Sequence, residues 1–207
     1  MVHGDDVTSD AGGEDCYRFV KEAGRFRVVK RTRGISTTDL VGRMLVGGKG
    51  HFFRGGLESV VRGEGMGAGG EREEMMEKLR AYASDESGRA PGLDVFLFAS
   101  GTAQDGFNRF IQGKQPQPGQ RIVYVDGGFD LFSSGHIEFL RSVIEIEDAK
   151  ARKAGWSKQY SPCYVVAGIH DDEVINEVKG LNYPIMNIYE RGLCLLQCKV
   201  SLTRATV

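Results

Sequence analysis

Two runs rich in β-branched and aromatic residues, RIVYVD at 121–126 and CYVVAGI at 163–169, bracket a long helical pattern that opens on SGHIEFL. Two strands with a helix between them cannot form a hairpin. They run parallel, and the crossover packs on their own sheet. The pattern predicts a βαβ unit, the front of a doubly wound parallel sheet of Rossmann-like α/β class, with Ile137, Leu140 and Ile144 of the helix turned inward. Gly127 and Gly128 stand at the strand-to-helix corner, where glycine allows a sharp turn and lets backbone N–H groups approach an anion. A glycine pair alone also fits an ordinary βα connection. The helix opening adds weight, because Ser133, Ser134, Gly135 and His136 occupy the same entrance. In isolation His136 would read as a surface histidine.

Beyond the second strand, DDEVINEVKG predicts a short helix ending near Lys179. NIYERGLCLLQCK predicts another, with Asn187 as cap and Glu190 three residues on, in the manner of a capping box. Gly192 costs that helix about 1 kcal/mol relative to alanine. Upstream, residues 1–46 read as the tail of a separate α/β unit: a helix over 13–24 carrying Cys16, a short strand over 25–31 and a second helix over 36–45. In RTRGISTTD a basic strand end, with Arg31 and Thr32, passes through Gly34 into a first helical turn of Ser36, Thr37 and Thr38. Capping accounts for one hydroxyl. Three in succession after such a run favour an anion site, where amides and helix dipole converge on phosphate.

Residues 47–120 change character. Glycines without a sustained period predict a flexible linker. Within it lies one charged helix over 71–83, and GKQPQPGQ at 113–120 marks the boundary. The domain expectation is therefore 1–46, 47–120 and 121–207. A formal net charge of −1 supplies no global pull toward nucleic acid. The basic cluster near Lys30 lacks the aromatic platform that RNA binding would add. No run reaches the ~20 apolar residues of a membrane span, and MVHGDDVTSD lacks the regions of a secretory signal. A cytoplasmic protein is expected, with its four cysteines reduced and partly buried. Cys194 and Cys198 share a helical face without a further ligand at zinc spacing, so no protein-held metal is expected.

Together, YVDGGFDLFSSGHIEFL, VVAGIHDDEVINEVKGLNYPIMNIYER, VHGDD and KRTRGISTTDLVGRML resemble the cytidylyltransferases of the HxGH nucleotidyltransferase superfamily. They are most similar to the ethanolamine-phosphate cytidylyltransferase family. In that family the HxGH segment opens a catalytic unit and the RTxGIST segment closes it; here the order is reversed. The resemblance thus implies the end of a first unit, a linker and the start of a second, two incomplete units in all. It implies cytidylyl transfer from CTP to phosphoethanolamine, giving CDP-ethanolamine and pyrophosphate for phosphatidylethanolamine synthesis, with Mg²⁺ on the phosphates.

By the same resemblance His136 and Lys179 are catalytic. CTP or phosphate would be met by Gly128, Phe129, Ser133, Ser134, Gly135, His170 and Arg191, and by Arg31, Thr32, Gly34, Ser36, Thr37 and Thr38. For His170 an exposed strand-end histidine, and for Arg191 a solvated helix arginine, stand as equal readings. Ser133 occupies the place of the first HxGH histidine and cannot supply an imidazolium. Losing one pre-organised donor typically costs about 10²–10³ in turnover, so a catalytically inactive nucleotide-binding or regulatory relative is the alternative. Peripheral association with the endoplasmic reticulum or another organelle surface, and a homodimer, are further expectations of the family.

Overall fold

The computed structural model describes residues 1–6, 8–30, 36–63, 70–85, 87–90, 92–99, 106–155, 163–198 and 204–206. The chain divides into two compact units, Met1–Asp39 and Leu40–Val207.

In the first unit β1 (Val2–His3) pairs in parallel with β2 (Arg27–Val28), and α1 (Arg18–Glu22) lies between them in sequence. Its elements are shorter than the sequence predicts. Asp10 Oδ1 accepts the Gly12 and Glu14 amides, and Asp15 Oδ1 accepts that of Tyr17. Side-chain acceptors of this kind compete with helical hydrogen bonding and delay the helix to Arg18. Cys16 consequently sits exposed in a turn rather than in a helix. Ring packing replaces a core here: His3 lies 4.6 Å and Phe26 5.2 Å from the Tyr17 ring.

The second unit takes in most of α2 (Thr37–Val46), then α3 (Gly56–Arg62), α4 (Gly70–Ala83), β3 (Asp94–Ala99), β4 (Gly106–Ile111), β5 (Ile122–Gly127), α5 (Ser134–Lys153), β6 (Tyr164–Ile169), α6 (Asp172–Lys179), α7 (Ile188–Gln197) and β7 (Arg204–Thr206). The sheet order is β4-β3-β7-β6-β5. β5 and β6 run parallel from Ile122↔Tyr164 to Gly127↔Ile169, as the βαβ pattern requires. β7 lies between β6 and β3, parallel to both, and β4 closes one edge antiparallel to β3. The fold is α/β with a predominantly parallel sheet.

One face of that sheet presents Val95, Leu97, Val165, Ala167 and Ile169 to a single core. α3 contributes Leu57 and Val60, α4 Met76 and Leu79, α5 Leu140, and α7 Ile188, Leu193, Leu195 and Leu196. Each such buried side chain stabilises the fold by about 1.5–3 kcal/mol. The inward stripe of α5 runs through Leu140, Val143, Ile144, Glu147 and Ala151. Ile137, expected inside, is 39% exposed because it precedes that stripe. β5 is an edge strand with alternating burial, and Ile122 and Tyr124 on its outer face are 55% and 60% exposed.

Residues 47–120 are not a linker through most of their length. α3, α4, β3 and β4 all fall there, and their apolar side chains fill the core. The glycines that read as flexibility instead bound a short helix: Gly55 and Gly63, both at φ 77°, flank α3. The prolyl lead-in is likewise anchored. The buried Asp94 accepts from the Gly113 amide at 2.7 Å, and the Tyr164 hydroxyl donates to the Lys114 carbonyl at 2.9 Å.

Candidate active site

At the carboxyl end of β5 the backbone turns sharply. Phe129 and Leu131 adopt φ of 50° and 47°, a left-handed conformation that costs energy for residues with a Cβ and persists where surroundings enforce it. Three interactions enforce it. The Phe129 ring is buried, packing 6.5 Å from Phe132 and 5.8 Å from His136. Asp130 Oδ1 accepts from the Leu131 and Met186 amides, and its Oδ2 accepts from the Ile185 amide at 2.9 Å. The Gly128 carbonyl accepts from Arg191 Nη1 at 2.6 Å. Gly128 itself has little room for a side chain, since a Cβ there would lie 3.2 Å from Ile175 Cδ1.

Ser133 caps α5. His136, one turn in, folds back so that its Nδ1 accepts the Ser133 N–H at 3.1 Å, with the serine hydroxyl 3.3 Å away. An imidazole nitrogen that accepts a backbone N–H carries no proton, so in this arrangement the ring's proton is on Nε2. Phe132 stacks on the ring at 5.1 Å and limits its rotation. Ser134 and Gly135 are the first residues of the helix, where amides have no intrahelical acceptor. The Nε2 edge of the imidazole thus stands beside amides without an intrahelical acceptor at the positive end of a 20-residue helix.

The remaining predicted residues lie as follows. His170 is exposed at the end of β6, its amide donating to the Gly127 carbonyl at 3.2 Å. With Tyr124, Gly168 and Asp171 it lines a cleft of about 180 Å³. Lys179 occupies the last turn of α6, exposed, with Nζ 5.7 Å from the Tyr183 ring centroid. Ser36 is half-buried, and Thr37 and Thr38 are exposed in the first unit. Arg31, Thr32 and Gly34 lie outside the described residues.

Arg191 requires a correction. It is neither a phosphate ligand nor a solvated helix arginine but is fully buried. Its guanidinium donates to the carbonyls of Met186 (3.0 Å), Gly128 (2.6 Å) and His170 (2.8 Å), and to Asp172 Oδ1 (2.7 Å). Those bonds join the ends of β5 and β6, the start of α6 and the loop before α7. Burial raises the carboxyl pKa of Asp172, while the Phe53 amide and Arg191 pull it down. Asp130, Asp172 and Arg191 therefore shape the turn from behind. Sequence spacing missed the two aspartates, because neither stands in a pattern that distinguishes it from ordinary helix-flanking acids.

A parallel α/β sheet with a strained glycine turn and a histidine-capped helix at its carboxyl edge is consistent with a Rossmann-like nucleotidyltransferase fold. No family model matches the chain. Individual relatives do. The chain is 40% identical over 202 residues to the ethanolamine-phosphate cytidylyltransferase of Mus musculus, covering 96% of this chain and 46% of the mouse protein. It is 37% identical over 198 residues to that of Dictyostelium discoideum, with the same shares. Likeness to choline-phosphate cytidylyltransferase A of Rattus norvegicus is confined to 45 residues, 22% of the chain and 12% of the relative. The chain is a homologue of the ethanolamine-phosphate cytidylyltransferases, and it spans about half the length of the curated relatives it matches.

Proposed function

We propose that this chain serves cytidylyl transfer from CTP to phosphoethanolamine. The observation that carries the reading is the Ser133–His136 cap, which holds an Nε2 proton beside the free amides of α5 at the end of β5. In the reaction a phosphoethanolamine oxygen bonds to the α-phosphorus of CTP, and the bond from that phosphorus to the bridging oxygen breaks to release pyrophosphate. Such transfers depend on positioning and charge stabilisation rather than on covalent chemistry by the protein. The Nε2–H and the amides of Ser134 and Gly135 would donate to phosphate oxygens as negative charge accumulates on them. Lys179 would add a mobile positive charge.

Mg²⁺ would arrive with CTP. Among the described residues no three His, Cys, Asp or Glu side chains converge as a metal cage, and Asp130 is already occupied by three amides. The donors at the turn suit an anion, so the ion's ligands would be phosphate oxygens and water. No helix among the described residues is long and apolar enough to cross a membrane, and a cytoplasmic setting accords with these substrates.

Calorimetric titration with CTP, together with radiolabelled CTP turnover on phosphoethanolamine and on phosphocholine, tests the proposal. CTP binding with turnover on phosphoethanolamine is the expected result, and no CTP binding refutes it. Ser133 favours a second reading, a nucleotide-binding relative without turnover. A serine in place of the first histidine keeps the cap but removes one donor, at a typical cost of about 10²–10³ in rate. Binding without turnover on either acceptor would select that reading.

A further inference from the structure

The loop before α7 is held in an unusual way. Four successive carbonyls each accept from a side chain of a different segment: Tyr183 from Asn176 Nδ2 (2.6 Å), Pro184 from His51 Nε2 (2.7 Å), Ile185 from Arg43 Nη1 (2.9 Å) and Met186 from Arg191 Nε (3.0 Å). The amides of Ile185 and Met186 both go to Asp130, which sits in the turn after β5. Arg43 also forms a forked pair with Glu190, at 2.7 and 3.0 Å, with side-chain exposures of 11% and 3%. Its own carbonyl accepts from Asn182 Nδ2 at 2.5 Å.

We infer that Arg43 is a positioning residue for the phosphate-binding turn, acting through the Ile185 peptide and Asp130. The inference rests on the function proposed above, because it gives that turn its task. The peptide group between Ile185 and Met186 is held at its carbonyl by the Arg43 guanidinium and at its N–H by the Asp130 carboxylate, which also accepts from the Ile185 N–H. A shift at Arg43 therefore passes to Asp130, and from there to the strained backbone of Phe129 and Leu131. An ordinary surface ion pair would not do this. Arg43 makes a half-buried, forked contact bridging a side chain and a backbone carbonyl, a geometry lysine cannot reproduce.

The test compares Arg43→Met, Arg43→Lys, Asp130→Asn and the Arg43→Met/Asp130→Asn pair with the parent chain, each well below its melting temperature. Two quantities are read: the Kd for CTP, and amide hydrogen exchange at residues 128–131. Arg43→Met should weaken CTP binding on the order of tenfold or more and accelerate exchange in the turn. Lysine should restore part of each, and the double variant should lose less than the product of the two single losses. Leu79→Ala, a change at a buried core position on α4, serves as a destabilised control and should leave both readouts unchanged. If Arg43→Met lowers the melting temperature but matches Leu79→Ala in Kd and exchange, the relay is wrong. If the parent chain binds no CTP, the proposed function fails, and exchange at 128–131 alone then decides the relay.

Discussion

Replacing Arg191 with methionine is the most direct probe of how the site is built. The change removes three hydrogen bonds to carbonyls and leaves Asp172, itself fully buried, without its ion-pair partner. Summing hydrogen bonds from a charged donor at about 1.5–3 kcal/mol each would overstate the loss, because the guanidinium is well hydrated when the chain unfolds. Removal of one partner from a buried pair typically costs about 3–5 kcal/mol. Domains of this size are stable by about 5–15 kcal/mol, so the variant should remain folded but forfeit a large share of its margin. Urea unfolding followed by circular dichroism measures it. The loss should also depend on pH. Burial already raises the pKa of Asp172, opposed by the Phe53 amide, by Arg191 and by the charge of His51. Without Arg191 the folded state holds its proton more tightly still. A carboxyl whose folded pKa exceeds its unfolded value destabilises as pH rises through that interval, so the variant's deficit should shrink on acidification. Asp172→Asn in the same background should recover stability and abolish the pH effect. A deficit under about 1 kcal/mol, flat with pH, would refute the clamp.

Two glycines should respond in opposite directions. Gly113→Ala places a Cβ 2.2 Å from the Leu93 carbonyl carbon and 2.4 Å from the Asp94 amide, backbone that cannot step aside. A loss of about 1–3 kcal/mol is expected by urea unfolding, and a neutral result would mean the lead-in is not seated on β3. Gly192→Ala meets nothing within 4 Å inside α7, so a gain of about 1 kcal/mol is expected, with any loss counting against the packing there. Glu147 concerns acid stability. Its hydrogen bond from Lys150, with the charge of Arg121, holds its carboxyl below the usual range against the effect of burial. A depressed folded pKa stabilises above the unfolded value, and that contribution disappears as pH falls through the folded one. Thermal unfolding of Glu147→Gln should therefore show a flatter acid limb than the parent, and an unchanged limb would rule the carboxylate out.

The parts of the fold that could be read from sequence are those whose causes are local. β5, α5 and β6 follow from periodicity and a glycine corner, and α6 ends at Lys179 as its pattern indicates. The stretch 47–120 was opaque for the opposite reason. α3 is seven residues long between two left-handed glycines, and β3 gains its partners from β4 and from β7, more than a hundred residues downstream. Helices that short draw their stability from tertiary packing, so a window of sequence contains little of what holds them. At the candidate site the residue types were visible but their employment was not. Ser133 and His136 stood out by type and position, yet only the folded geometry shows the imidazole turned back so that its Nδ1 accepts the Ser133 N–H.

Glu190 shows where the line falls. Its spacing from Asn187 marks it as the third residue of a capping box, and the structure contains that box, with Asn187 Oδ1 accepting the Glu190 amide at 3.0 Å and Glu190 Oε2 accepting the Asn187 amide at 2.8 Å. The same Oε2 receives Arg43 Nη1 at 2.7 Å from 147 residues away. A cap is a contact between neighbours along the chain, and three residues of context suffice to see it. The fork to Arg43 exists only because α2 and α7 meet in the folded unit. One carboxylate thus secures a helix locally and, in the same position, ties that helix to the segment proposed to steady the phosphate turn.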